Sequence, residues 1–244
     1  MVDNKTTSTV AGPFRKNPIA RTIGIIISPR STFNDIVKTP TWLFPFLLVT
    51  VVGVLWAYLK SDLIAQGQVD FMSKINIPSL PENQIQMMTE KSGNKWIWIT
   101  PLYGTPFAFL GMTLLYWFSG NVVFGGKATF KMIFSIVSWS WVVSIIGWSV
   151  SCSIQLLRWD YTPPLSLAFL VPRESFQISF LYFLLSQIDL VYLWVVFIAG
   201  IGVSAVYKFS IMKGVSITVF WCIIYILMMA TFDMLPFLLF GANK

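Results

Sequence analysis

The chain has 244 residues, of which 56% are hydrophobic and 11% charged, with 11 tryptophans, no histidine and a formal net charge of +7. A soluble domain carries about 25% charged residues, so the composition excludes an ordinary water-soluble fold and makes a bilayer the solvent. The absence of histidine removes the commonest general base and metal ligand, together with every histidine-containing triad or zinc motif.

Residues 1–40 are polar and interrupted by Pro13, Pro18, Pro29 and Pro40. They show no hydrophobic core followed by a small-residue site, so no cleavable signal is expected and the first span should remain as an anchor. The apolar run Ile23 to Ile27 is too short to cross a membrane. Ser28 before Pro29 reads as a helix start, a capping oxygen followed by proline at the first helical position. The next turns place Phe33, Ile36 and Val37 on one side with Arg30 and Lys38 nearby. This pattern predicts a short amphipathic helix in the headgroup layer, where apolar insertion and attraction to anionic lipid act together.

Residues 41–240 read as a five-span membrane domain. The spans are Thr41 to Leu59, Trp96 to Phe118, Met132 to Leu157, Val191 to Val206 and Gly214 to Phe240, each near the roughly 17 to 25 residues needed to cross about 30 Å of hydrocarbon. Between the first two lies a sizeable loop, residues 60–95. Within it Pro81 to Ser92 reads as a short helix with Ile85 and Met88 on one face, either a lid on the spans or a docking site. Pro101 and Pro106 are expected to kink the second span. Gly147, Ser151, Gly200, Gly202 and Ser204 would let helices approach closely, and Trp96, Trp98, Trp159 and Trp194 suit the interface. Phe176 to Val206 as one helix would be about 46 Å long, well beyond the hydrocarbon thickness. A break is therefore expected near Gln187-Ile188-Asp189. Phe176 to Ser186 would then lie along the interface, and Asp189 would cap the crossing helix.

Charge placement orients the chain. Lys5, Arg15, Lys16, Arg21, Arg30 and Lys38 precede the first span, and alternate crossings bring Lys127, Lys131, Lys208 and Lys213 to the same side, against only Asp3 and Asp35. The other side is close to balanced. The excess of lysine and arginine places the N-terminus in the cytoplasm and the C-terminus outside, and it explains the basic balance without a nucleic-acid partner.

Two acids lie within apolar segments, Asp189 and Asp233, both toward the outer half of the bilayer. Capping or pairing with Arg158 or Arg173 is one role for them. A shared-proton or cation site is the other, since two close carboxylates in low dielectric do not both ionise cheaply. Cys152 and Cys222 are isolated within spans and read as small packing residues. Gly125-Gly126 has too little around it to be more than a turn. Neither catalysis nor a cofactor or metal is expected.

A phrase recurs ahead of two spans. Pro29-Arg30-Ser31-Thr32-Phe33-Asn34-Asp35-Ile36 and Gly126-Lys127-Ala128-Thr129-Phe130-Lys131-Met132-Ile133 share a base, a small residue, threonine, phenylalanine and a final isoleucine. Interfacial anchoring explains it, with phenylalanine in acyl chains and the cation at phosphate level. The alternatives are a duplication or a partner-docking motif formed by Arg30, Phe33, Lys127 and Phe130.

Ser28 to Ile36 followed by Pro40 and Pro45, the Gly125-Gly126-Lys127-Ala128-Thr129-Phe130-Lys131 phrase, and Asp189-Leu190 with Trp194, Gly200 and Gly202 together resemble the bacterial Yip-domain family, relatives of the eukaryotic Ypt/Rab-interacting membrane proteins. The resemblance covers Ile23 to Phe240. It implies an all-α polytopic protein of the bacterial cytoplasmic membrane, with five transmembrane helices. By function it implies a non-catalytic scaffold or accessory protein organising partners or lipids, in a setting such as an export or envelope-stress assembly. Its partners would be the lipid bilayer and other membrane proteins or a second copy. The short tail and long external loop depart from the eukaryotic members, so a Rab-type GTPase is not an expected partner. The contrasting reading is a small proton- or ion-coupled transporter using Asp189 and Asp233.

Overall fold

The computed structural model describes residues 17–74, 98–160, 163–171 and 180–240. Among them the regular structure is helical, apart from one isolated bridge between Ser166 and Asp189. Two ten-residue helices come first, α1 (Pro18–Ile27) and α2 (Pro29–Lys38). Asn17 caps α1 by accepting the Ala20 N–H at 2.7 Å, with proline at the first helical position. α2 begins at Pro29 as expected, but Ser28 makes no side-chain capping bond. Its own N–H closes α1 on the Gly24 carbonyl at 2.8 Å while its carbonyl accepts the Thr32 N–H at 3.1 Å, so the serine is the C-cap of α1 and the N-cap of α2 through its backbone alone.

α3 (Leu43–Leu59) is followed after Lys60 by α4 (Ser61–Lys74), bent 64° from it. The stretch after the first span is thus helical at its start, where sequence reading had only a loop. α5 (Thr100–Trp117) continues into a π-helical turn, Phe118–Val123, carrying the second span past its expected end. Pro101 occupies the first turn of α5, where no helical N–H is needed, and Pro106 alone is interior. α6 (Phe130–Ser140), a 3₁₀ stretch Trp141–Val143 and α7 (Ser144–Arg158) form one 29-residue span. α8 (Phe180–Gln187), α9 (Leu190–Tyr207) and α10 (Ile211–Phe240) complete the chain. Four of these stretches are long and apolar enough to cross a bilayer, and α3 with the start of α4 is a fifth if the bent pair is one span.

Many serine side chains inside the spans are satisfied locally. In α6 and α7 the hydroxyls of Ser135, Ser138, Ser140, Ser149 and Ser153 each donate to the carbonyl four residues earlier, at 2.7–2.8 Å. Such back-bonding lets serine lie in a medium that offers no water.

The break before α9 falls where helix length demanded it. Asp189 Oδ1 accepts the N–H groups of Val191 and Tyr192 at 2.8 and 3.0 Å. Leu167 N–H donates to the Ile188 carbonyl at 2.9 Å and Leu190 N–H to Leu165 at 3.1 Å, so the preceding segment occupies backbone groups that the break releases.

α9 is the central packing element, with Val195, Val196 and Ile198 to Ser204 buried. Small residues set its neighbours' distances. A methyl on Gly200 would lie 2.6 Å from the Val215 Cα on α10, and one on Gly202 would strike Ile136 and Phe33. Gly147 on α7 likewise leaves room for the Val191 side chain. Cys152 and Cys222 are buried free thiols. The helix expected at Pro81 to Ser92, the Trp96 anchor, Arg173 and the start of the interfacial segment at Phe176 lie outside the described residues.

Candidate functional site

The up-and-down order of the spans gathers the sequence-selected residues at two opposite ends of the bundle. At the first end, α1 and α2 fold against each other, with Gly24 of α1 facing the Thr32 side chain so closely that no Cβ would fit. Arg21 is 2% exposed. Its Nε and Nη2 each lie 2.8 Å from Asp35 Oδ2. Nη1 donates to the Thr39 carbonyl at 3.2 Å and to Thr41 Oγ1 at 2.6 Å, and Nη2 also donates to Thr39 Oγ1. One planar guanidinium therefore ties α1, α2 and the link to α3. Trp139 of α6, fully buried, donates its indole N–H to the Thr41 carbonyl at 2.7 Å, joining the clamp to the bundle.

This clamp corrects the expectation for Phe33. Phe33 and Ile36 are fully buried, against α6 and α9, and Gly202 leaves the space that the ring occupies. Phe33 is therefore available neither to acyl chains nor to a partner. The exposed apolar face of the hairpin belongs to α1, where Ile19, Ile23 and Ile27 are 68%, 52% and 76% exposed. Arg30 is exposed, as are Lys127 and Phe130.

The two repeated phrases do not occupy matching structure. Thr32 is the fourth residue of α2, whereas Thr129 is the N-cap of α6 and accepts the Met132 N–H at 3.3 Å. Their isoleucines, Ile36 and Ile133, are both fully buried, but their phenylalanines are not equivalent: Phe33 is enclosed and Phe130 is 40% exposed.

The turn carrying Lys127 is built tightly. Gly125 has φ of 65°, the left-handed region glycine tolerates, and Gly126 N–H donates to the Gly120 carbonyl at 2.8 Å. Asn121 grips Ala128 by both backbone groups, accepting its N–H at 2.9 Å and donating to its carbonyl at 2.8 Å. The Tyr207 ring fills the space left by Gly120 and Gly126 and stacks on Phe209 at 5.3 Å. Lys213 lies over both Phe124 and Phe209, 4.1 Å from each centroid.

The Yip1 domain matches residues 23–232. The chain belongs to the Yip1 domain family. With its apolar helices, that makes it an integral, multi-pass membrane protein. No curated relative and no solved structure matches it. The Yip1 match starts two residues after Arg21 and ends one before Asp233, so the clamp's arginine and the last acid lie just beyond it.

At the opposite end of the Yip1 bundle, Asp189 is engaged as the α9 cap. Asp233 Oδ2 accepts the Gln187 side-chain amide at 2.7 Å. Both acids are brought to this end and joined through Gln187, two residues before Asp189, but each has its own donor. A cavity of about 300 Å³ lined by Gln187, Asp189, Tyr192 and Tyr225 lies beside them. A larger one, about 780 Å³, runs between α3, α5 and α7, with Lys60 among its lining residues. Lys60 donates to Gln155 Oε1 at 3.1 Å. Among the described residues no three potential ligands from cysteine, aspartate and glutamate converge on a metal position.

The Arg21 clamp is not visible in the sequence, where Arg21 and Asp35 stand fourteen residues apart and read only as two charges of a basic segment. The nearest signal is Asp35 itself, an acid in a strongly basic segment beside a helix that had to turn back on the bundle. Lys60 was likewise read only as the start of a loop.

Proposed function

We propose that this Yip1-family protein is a non-catalytic scaffold or accessory subunit of the bacterial cytoplasmic membrane, with its hairpin end in the cytoplasm. The observation that carries this reading is the Arg21–Asp35 clamp. It consumes the acid of the hairpin in an internal contact, and Arg30, Lys38, Lys127, Lys131 and Lys208 remain exposed around a rigidly docked element. A fixed basic face beside exposed isoleucines of α1 suits an anionic leaflet and the acidic juxtamembrane surface of another membrane protein. A membrane-embedded export or envelope-stress assembly is the partner class in keeping with the family resemblance.

The roles of Asp189 and Asp233 support a scaffold over an ion-coupled transporter, since one carboxylate caps a helix and the other anchors a glutamine. Affinity capture from native nanodiscs tests the reading. A stoichiometric membrane partner, lost when Arg30 and Lys127 are both replaced by glutamate, is the expected result. Recovery of the protein alone, with proton or ion flux in proteoliposomes, would overturn it.

A further inference from the structure

The cavity between α3, α5 and α7 runs along the membrane-crossing direction. On α3 its lining extends from Val49 to Lys60, eleven residues or about 16 Å of helix. That matches one leaflet of a hydrocarbon core about 30 Å thick. Its deep end is apolar: Val49 and Phe109 are enclosed, and Trp141 lies 5.7 Å from Phe109, centroid to centroid. Thr100 and Ala108 line it and are exposed, so it opens at the bundle surface. Glycine holds it open. A methyl on Gly104 would meet nothing within 4 Å, and one on Gly53 of the facing helix would reach Pro101 and Trp148 at van der Waals distance. Its volume, about 780 Å³, lies in the range of ligand sites.

The end away from the N-terminal hairpin carries a cation. Lys60 sits where α3 gives way to α4, and it makes no ion pair among the described residues. Its hydrogen bond to Gln155 uses one of three ammonium donors. The Gln155 contact holds the ammonium at the cavity's rim. Cys152, which also lines the cavity, is a second neighbour of the ammonium, and one donor is left for an anionic oxygen above a chamber whose walls are mostly apolar, with hydroxyls from Thr100, Thr105, Ser151 and Tyr225.

We propose that this cavity is a binding site for one anionic phospholipid of the surrounding leaflet, with an acyl chain reaching toward Phe109 and Trp141 and the headgroup phosphate on Lys60. Chamber length and charge complementarity select that occupant. The site goes beyond the scaffold reading and does not depend on any protein partner.

The test uses the full-length protein in nanodiscs containing phosphatidylglycerol with a diazirine at the end of one acyl chain, and maps the photolabelled residues. Label is expected at Val49, Phe109 or Trp141. Gly104→Phe, which fills the chamber, should abolish that deep label. Gly111→Phe should not: it lies on the same helix, outside the cavity, where an added Cβ also meets nothing. Lys60→Gln should reduce labelling by phosphatidylglycerol about fivefold, the effect of removing one interfacial cation, and leave a phosphatidylcholine probe unchanged. Label confined to exposed residues, or deep label persisting in Gly104→Phe, would overturn the site. Equal labelling by both probes, insensitive to Lys60→Gln, would overturn its selectivity for an anionic headgroup.

Discussion

Arg21 and Asp35, fourteen residues apart in sequence, meet at 2.8 Å with only 2% of the arginine side chain exposed. A buried ion pair adds little net stability, but removing one partner leaves a charge without compensation, at a cost of about 3–5 kcal/mol. Asp35→Ala should therefore lower the unfolding temperature of the detergent-solubilised protein severely. The double variant Arg21→Met with Asp35→Leu should recover most of that loss. Arg21→Lys should rescue poorly, because an ammonium does not reproduce a fork that reaches Asp35, Thr39 and Thr41 together. A wild-type melting curve for Asp35→Ala would remove the clamp's structural role.

The two phenylalanines of the repeated phrase should separate cleanly. Phe33→Ala leaves a cavity among fully buried neighbours and should destabilise by about 3–5 kcal/mol. Phe130→Ala, at a 40% exposed ring, should leave the melting curve within about 1 kcal/mol of wild type. Its effect should appear in partner capture instead. Equal loss of stability in both variants would show that the phrases play the same structural part after all.

Glycine substitutions provide an internal contrast. Gly200→Ala places a methyl against the α10 backbone at Val215 and should cost about 1–3 kcal/mol. Gly104→Ala enters open space and should be neutral or stabilising by about 0.5–1 kcal/mol, since alanine loses less backbone freedom in a helix. Parallel thermal unfolding of the two variants checks this. Similar destabilisation of both would mean that the α3–α5 cavity closes in the membrane.

Asp189 and Asp233 should behave as structural groups. Asp189→Ala removes an acceptor for two N–H groups and should cost about 1 kcal/mol, whereas Asp189→Asn should cost much less. The double variant Asp189→Asn with Asp233→Asn should retain folding and partner assembly. Proton flux in wild-type proteoliposomes that disappears in this variant would instead support the transporter reading.

Much of the architecture was legible because bilayer thickness imposes a length on every crossing. The same constraint predicted the break near Gln187, where a single helix from Phe176 would have been too long, and Asp189 then had an unpaired helix start to cap. Glycines at 147, 200 and 202 were readable as close-approach positions for a similar reason: a side chain's absence is local information. The bend at Lys60 was not, since α4 is not strongly apolar and carries Gly67 in its interior, so its sequence reads as loop.

Composition and hydropathy by themselves determined that this chain lives in a membrane, roughly where it crosses and which residues let its helices touch. Only tertiary structure decided what faces what. Phe33 looked lipid-seeking because an apolar ring beside a cation favours bilayer and protein interior alike, and the choice was made by the space at Gly202. Arg21 looked like a surface charge until four oxygen acceptors from three residues converged on it. Lys60 looked like a loop residue until α5 and α7 enclosed a chamber beside it. Burial and pairing depend on contacts between distant segments, and hydropathy reads only the segment itself.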